Sequence, residues 1–298
     1  MKRFIPKGQP HRGGSMRREF LNKLARMEHK QMIIYPLAVF VLALIVLAVK
    51  PPGLGIELQG GVVVTAQGVN DNPDAIANYI HDQTGYDVRV ERFTSLGGSG
   101  VNVYAPAGSS AAEIIKALQE KYPEASYAQS EVQPSFGAMA QRQSIKAIGY
   151  AFLGMAVVVF LFFRIFVPSI TVIFSALSDM VIALALMSVT GIDLSLATIA
   201  ALLMLIGYSV DSNILLTTKL LRRKENTVDE AYLSAVSTGF TMSTTTLGAL
   251  FSLWLVSTAQ VVDEIAAVLI FGLLADFMNT WVLNAGVLKW YLKRRGEE

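Results

Sequence analysis

The chain has 298 residues and no cysteine, with 53% hydrophobic against 16% charged residues and a net charge of +2. Soluble domains run at roughly 45–50% apolar and about 25% charged, so an ordinary soluble enzyme is excluded and a membrane protein is indicated. Without cysteine there is no disulfide framework, thiolate metal site, iron–sulfur cluster or cysteine nucleophile, and so small a net charge gives no electrostatic footprint for nucleic acid.

Residues 1–30 form a basic head with nine cations, from Lys2 to Lys30. A first membrane span is predicted at Gln31–Val49, since about 20 apolar residues cross the hydrocarbon core. No small-residue cleavage site follows Val49, so residues 31–50 read as a retained anchor rather than a signal peptide. Residues 53–144 have a soluble composition. Within them Val62–Ala66, Asp87–Phe93, Val101–Tyr104 and Ala125–Val132 read as strands, with a turn at Gly97-Gly98. Pro73–Thr84, capped by Asp71 or Asn72, and Ser109–Tyr122, capped by Ser109 or Ser110, read as helices. The order β-α-β-β-α-β predicts a small ferredoxin-like α+β domain. His81, its one histidine, reads as a solvated side chain.

Residues 145–292 hold five more spans: Ile145–Phe163, Phe166–Val189 with Pro168 in its first turn, Leu194–Thr217, Tyr232–Ser257 and Ile265–Tyr291. Residues 293–298 form a tail. The expected fold is thus an α-helical membrane protein with six transmembrane helices and one soluble insert. Lysine and arginine mark the cytoplasmic side. They fill the head, the loop holding Lys219, Arg222, Arg223 and Lys224, and the C-terminal end with Lys289, Lys293, Arg294 and Arg295, while the loops with Asp193 and with Asp263-Glu264 carry none. Both termini are therefore expected in the cytoplasm, with the insert outside.

Acids inside a membrane are expensive and are functional hypotheses by default. Asp179, Asp211 and Asp276 fall within predicted spans, with Ser209 and Asn213 flanking Asp211, and Thr241, Ser243, Thr244, Thr245 and Thr246 lining span five. They suggest a proton or ion path, against the alternative of protonated aspartates bonding across helices and hydroxyls bonding their own backbone. No zinc-protease, nucleophile-elbow or phosphate-loop motif occurs, and no aspartate has the Gly-x-Gly-Asp setting of intramembrane proteases. Hence no enzyme, metal or cofactor is expected.

Two stretches carry a resemblance: Ala176-Leu177-Ser178-Asp179, and Leu194 through Ile206-Gly207-Tyr208-Ser209-Val210-Asp211. Together with Gly55-Ile56-Glu57-Leu58-Gln59-Gly60-Gly61, Leu161-Phe162-Phe163-Arg164 and Thr245-Thr246, they resemble the SecF subunits of the protein-export machinery, in the SecD/SecF family. The likeness covers about residues 31–292. Bacterial members carry an arginine early in span five where Thr238 stands here, and a small-residue run in span six where this chain has Asp276–Thr280; such features look like the archaeal branch.

The resemblance implies a half-transporter of the resistance-nodulation-division (RND) type, located in the cell membrane. It implies pairing with SecD, association with the SecY channel, and use of proton-motive force to draw preproteins outward. Asp211 would bind the proton, supported by Asp179 and by the hydroxyls of Thr245 and Thr246. The alternatives are a small-molecule or lipid exporter on the same scaffold, and an assembly scaffold without ion coupling. The basic head reads mainly as a topology determinant, with contact to anionic lipid as its other use.

Overall fold

A computed structural model describes residues 28–95, 98–222, 227–257 and 259–296. Residues 1–27 of the basic head, together with Arg223, Lys224 and Gly97, lie outside the described residues.

Helix α1, His29–Val49, is apolar around its whole circumference. Met32, Pro36 and Ala43 turn into the bundle, while Ile34, Leu42 and Ile45 stay exposed, as hydrocarbon-facing positions do. The chain then makes a parallel bridge to the loop after the third long helix: Gly55 N donates to Leu194 O at 2.9 Å and Leu194 N to Gly53 O at 2.7 Å. A one-turn helix α2, Ile56–Gln59, leads to Gly60, where φ is +78° and an added Cβ would lie 2.7 Å from Pro134 Cα. That close approach explains the Gly-Gly step in structural terms.

The insert follows the predicted order: β1 Gly61–Gln67, α3 Pro73–Thr84, β2 Arg89–Ser95, β3 Gly98–Ala105, α4 Ala111–Lys121 and β4 Ser126–Val132. Asn72 caps α3 by accepting from Asp74 N, and Ser110 caps α4 by accepting from Glu113 N. The strands form one sheet in the order β2-β3-β1-β4, with every neighbour pair antiparallel. Strand alternation divides the residues by face. Val62, Val64, Ala66, Val101 and Val103 meet Ile76 and Ile80 of α3 and Ile114 and Leu118 of α4 in a closed core. Thr65, Asn102 and Tyr104 face the other way, toward the bundle. Each buried Ile or Leu there contributes about 1.5–3 kcal/mol. His81 is half exposed and pairs with Asp87 at 3.0 Å.

The remaining long helices are α5 Pro134–Phe163, α6 Phe166–Thr190, α7 Leu196–Leu221 and α8 Val228–Val256. With α1, these make five helices long and apolar enough to cross a membrane. A sixth helical run comprises α9 Gln260–Met278, a π-helical segment Asn279–Asn284 and α10 Ala285–Arg294. α5 begins eleven residues before the predicted span. Pro134 sits in its first turn, and this leading part packs on α2: Gln141 Nε2 donates to Leu58 O at 2.8 Å, and Ala140 is buried.

One glycine controls the packing of α8. A Cβ on Gly239 would lie 1.7 Å from Cζ2 of Trp281, which is fully buried and whose carbonyl accepts from Tyr232 Oη at 2.7 Å. Gly239→Ala is therefore expected to cost about 1–3 kcal/mol through overpacking, visible as a lowered Tm of the purified protein. An unchanged Tm would show that α8 does not sit against Trp281.

Candidate functional site

Three helices present polar residues to one another at helical spacing. α6 contributes Ser175, Ser178 and Asp179; α7 contributes Ser209, Ser212, Asn213 and Thr217; the sixth run contributes Asp276, Asn279, Thr280 and Asn284. All are buried. Repeats of three, four and seven residues place each set on a single helix face, so the sequence dictates a polar seam once the three faces meet.

Hydrogen bonds connect the seam. Asp179 accepts from Ser209 Oγ at 2.6 Å on Oδ2 and from Asn279 Nδ2 at 2.7 Å on Oδ1. Asn279 Nδ2 also donates to Ser178 Oγ at 2.9 Å. Asp276 accepts from Ser212 Oγ at 2.8 Å and from Thr280 Oγ1 at 2.7 Å. Asn213 Nδ2 donates to Ser209 O at 2.7 Å, and Asn284 Nδ2 donates to Asn213 Oδ1 at 2.6 Å. The two carboxyls, Asp179 and Asp276, lie on facing helices of this seam. Among the described residues neither has a lysine, arginine or histidine as hydrogen-bond or ion-pair partner. Ser175 Oγ, Asn279 Oδ1 and Asn284 Oδ1 are buried without a hydrogen-bond partner among the described residues. Such atoms are rare in a packed interior, and here all three belong to residues of the seam. The π-helical segment occurs where Asn279, Thr280 and Asn284 enter the seam, and π-segments within helices occur frequently at functional sites.

The structure thus brings together Asp179, Asp276, Ser209 and Asn213 from the predicted set. It does not bring Asp211, Thr245 or Thr246 to them. Asp211 is exposed on the opposite side of α7, on a strip with Met204 and Tyr208, which are 49% and 38% exposed. The hydroxyls of Thr245 and Thr246 bond to the backbone carbonyls of Thr241 and Met242, four residues back. Ser178, Ser212, Asn279, Thr280 and Asn284 were not singled out as site residues in the sequence. Their signal was there: positions 276, 280 and 284 repeat every four residues, and 279 lies three after 276.

A second polar cluster lies where the sheet rests on the end of the bundle that carries the α6–α7 loop, around a cavity of about 400 Å³. Arg89 of β2 forms an ion pair with Asp193 in the α6–α7 loop, approaches Glu91 at 3.3 Å and lies 4.9 Å over the Tyr104 ring. Asn102 Nδ2 donates to Gln260 Oε1, and Gln260 Nε2 donates to Glu264 Oε1 at 3.0 Å. Burial raises the Tyr104 phenol to about 12, so it stays protonated. Burial also raises Glu91 above the ordinary carboxylate value, with Arg89 opposing. A carboxyl raised in the folded state adds stability at low pH that is lost as pH rises through its folded value. Glu91→Gln is therefore expected to match the parent Tm near about pH 4, close to the ordinary carboxylate value, and to exceed it at neutral pH. A variant less stable than the parent at neutral pH would contradict this.

Comparisons with known proteins agree with one another. Residues 113–294 match the family described as protein export membrane protein SecD/SecF, C-terminal. The chain is 62% identical to the protein-export membrane protein SecF of Thermococcus gammatolerans, over 93% of this chain and 90% of that one. It is 61% identical to that of Pyrococcus furiosus, over 94% and 97%. Among solved structures it resembles SecDF of Thermus thermophilus, a translocon-associated membrane protein, with a TM-score of 0.73 at 20% identity. That match covers 91% of this chain but 38% of the SecDF chain. With the family matched over most of its length and relatives this similar from end to end, the chain belongs to the SecD/SecF family of protein-export membrane proteins, in its SecF branch.

Proposed function

We propose that the chain is an accessory subunit of the Sec protein translocase. It works with SecD to promote preprotein export across the cell membrane, uses proton-motive force, and catalyses no reaction of its own. The observation that carries this reading is Asp211. It is an acid in the middle of a membrane-spanning helix, exposed on the outside of the bundle, with no hydrogen bond or ion pair among the described residues. A carboxylate facing lipid would be costly, so this face needs a cover. The SecDF chain is much longer than this one, and a second half of the same architecture would supply that cover. Asp211 would then lie between the two halves, where a proton arriving from outside makes the acid neutral and its release restores the charge.

In this account the six helical runs all span the membrane as one RND-type half. Both termini lie in the cytoplasm, and the β-α-β-β-α-β insert is a ferredoxin-like domain outside, positioned to meet the emerging preprotein beside the SecY channel. The interior seam has a distinct part. Two buried carboxyls on facing helices, with no cation among their hydrogen-bond or ion-pair partners in the described residues, share one proton, and the buried oxygens along the seam offer places for water. Asp179 and Asp276 thereby tie α6 and α9 to α7, the helix that carries Asp211, so that a change at Asp211 is felt by the helices beneath the external domain. The self-bonded hydroxyls of Thr245 and Thr246 take a supporting place along α8.

The reading is tested by single cysteines, since the chain has none of its own. Cysteine at Met204 or Tyr208 should crosslink to SecD in membranes, whereas cysteine at Leu153, 61% exposed on α5, should not. Equal crosslinking from all three would remove the argument that SecD covers the Asp211 face. Preproteins trapped by a cysteine in the external domain would separate protein export from small-molecule export on the same scaffold.

A further inference from the structure

Helices α5 and α6 are joined by a corner of two residues, Arg164 and Ile165. Arg164 has φ +54° and ψ +23°, which makes it the sole non-glycine residue with positive φ among the described residues. A side chain in this left-handed conformation costs roughly 1–2 kcal/mol relative to helical geometry, a cost glycine would avoid. The Arg164 guanidinium is exposed and makes no hydrogen bond or ion pair among the described residues. A second cation reaches the same corner: the Arg222 guanidinium, at the end of α7, lies 5.6 Å over the Phe162 ring.

Beside this corner a groove of about 330 Å³ runs between the two helices. Its walls include Val157, Phe160, Leu161, Phe166 and Ile170, all between 47% and 68% exposed on the outside of the bundle. The one polar side chain lining it, Ser169, is satisfied by its own helix, donating to Ile165 O at 2.7 Å. The groove is therefore apolar along its length, and Arg164 stands in the corner that joins its two walls, with Arg222 packed on the last turn of α5. An acyl chain matches the first property and a phosphate diester the second. Guanidinium groups present several donors to phosphate oxygens, and basic pockets between membrane helices hold lipid headgroups.

We propose that this corner is a binding site for one anionic phospholipid, with an acyl chain in the α5–α6 groove and the headgroup phosphate between Arg164 and Arg222. The site gives a reason for a strained arginine where glycine would be easier. It also anchors the α5–α6 hairpin to the membrane surface at that end of the bundle. The proposal does not depend on the export reading, because lipid retention is measured directly.

The test uses the full chain in detergent micelles doped with either dioleoyl phosphatidylglycerol or dioleoyl phosphatidylcholine, with retained lipid counted by native mass spectrometry. The parent should retain phosphatidylglycerol about tenfold better, as one or two charge-assisted bonds would give. Arg164→Gly, which suits the backbone at that position, should lower phosphatidylglycerol to the phosphatidylcholine level, whereas Arg164→Lys should keep a preference. Ile170→Trp, which fills the groove from its exposed side, should reduce retention of both. Equal retention of the two lipids by the parent would overturn the proposal. So would an undiminished preference in Arg164→Gly, or undiminished retention in Ile170→Trp.

Discussion

Asp179→Leu is expected to destabilise the helix bundle by about 2–4 kcal/mol, with Asp179→Asn costing about 1 kcal/mol or less. Asp179 accepts from Ser209 on one oxygen and from Asn279 on the other. Leucine of similar size leaves the Ser209 hydroxyl and one Asn279 N–H without an acceptor in the buried seam. Asparagine keeps one acceptor oxygen, and its own N–H groups can serve Ser175 Oγ or Asn279 Oδ1, which lack partners. Hydrogen bonds between helices in a bilayer are worth less on average, around 0.6 kcal/mol. The larger figure holds here because two donors are orphaned at once, not merely exchanged. Asp276→Leu should cost less than Asp179→Leu, since Ser212 already shares its hydroxyl with Ser209 O at 3.0 Å. The double variant Asp179→Leu/Asp276→Leu should fall short of the sum of the single losses, because either single variant already breaks the proton sharing between the two carboxyls. Thermal unfolding of the purified chain reads all four variants. Equal losses for the Leu and Asn forms would mean that the seam is not held by these bonds.

Asp211→Asn is expected to do the opposite: little to stability, and everything to gradient-driven export. Asp211 has no partner in this chain among the described residues, so stability should change by no more than about 0.5 kcal/mol, as for surface positions. Asparagine matches the carboxyl in shape and polarity but cannot take up and release a proton. If the proton is bound at Asp211, the stimulation of export by an imposed gradient should disappear, while assembly with SecD remains. If the chain only scaffolds the channel, export should be unchanged. The two substitutions thus separate the interior seam, which holds the bundle together, from the outward acid, which is asked to couple it to the gradient.

Much of the fold was legible because each element announces itself locally. The apolar runs at Gln31–Val49 and Phe166–Val189 became α1 and α6 with ends shifted by two residues or fewer, and Pro73–Thr84 became α3 with the predicted bounds. The strands showed as a β-branched run at Val62–Ala66 and as alternation at Asp87–Phe93, and the sheet divides them into a core face with Val64 and Val103 and an open face with Thr65 and Asn102. The start of α5 was not legible. Residues 134–144 are polar enough to belong outside a membrane, and only their packing on α2 makes them the first turns of a long helix. The π-segment was hidden for a related reason: nothing in Asn279–Asn284 breaks a helix, and the segment coincides with the polar contacts that Asn279, Thr280 and Asn284 make to other residues of the seam.

The site was half legible. Asp179 and Asp276 stood out as acids in apolar surroundings. Ser209, Asp211 and Asn213 were grouped because they are adjacent in sequence, yet a helix turns about 100° per residue. Ser209 and Asn213, four apart, lie on one face, and Asp211 between them points away. Helical phase alone therefore separates Asp211 from the seam, provided one face of α7 is known to be inward. Its polar stripe, Ser209, Ser212, Asn213 and Thr217, supplies that information.

The central claim is that Asp211 couples the proton gradient to export. The most direct measurement is preprotein export into vesicles that contain the channel, SecD and this chain, with a proton gradient imposed and then collapsed, for the parent and for Asp211→Asn. Collapsing the gradient should slow the parent to the rate of Asp211→Asn and leave the variant unaffected. A variant that still responds to the gradient like the parent would contradict it.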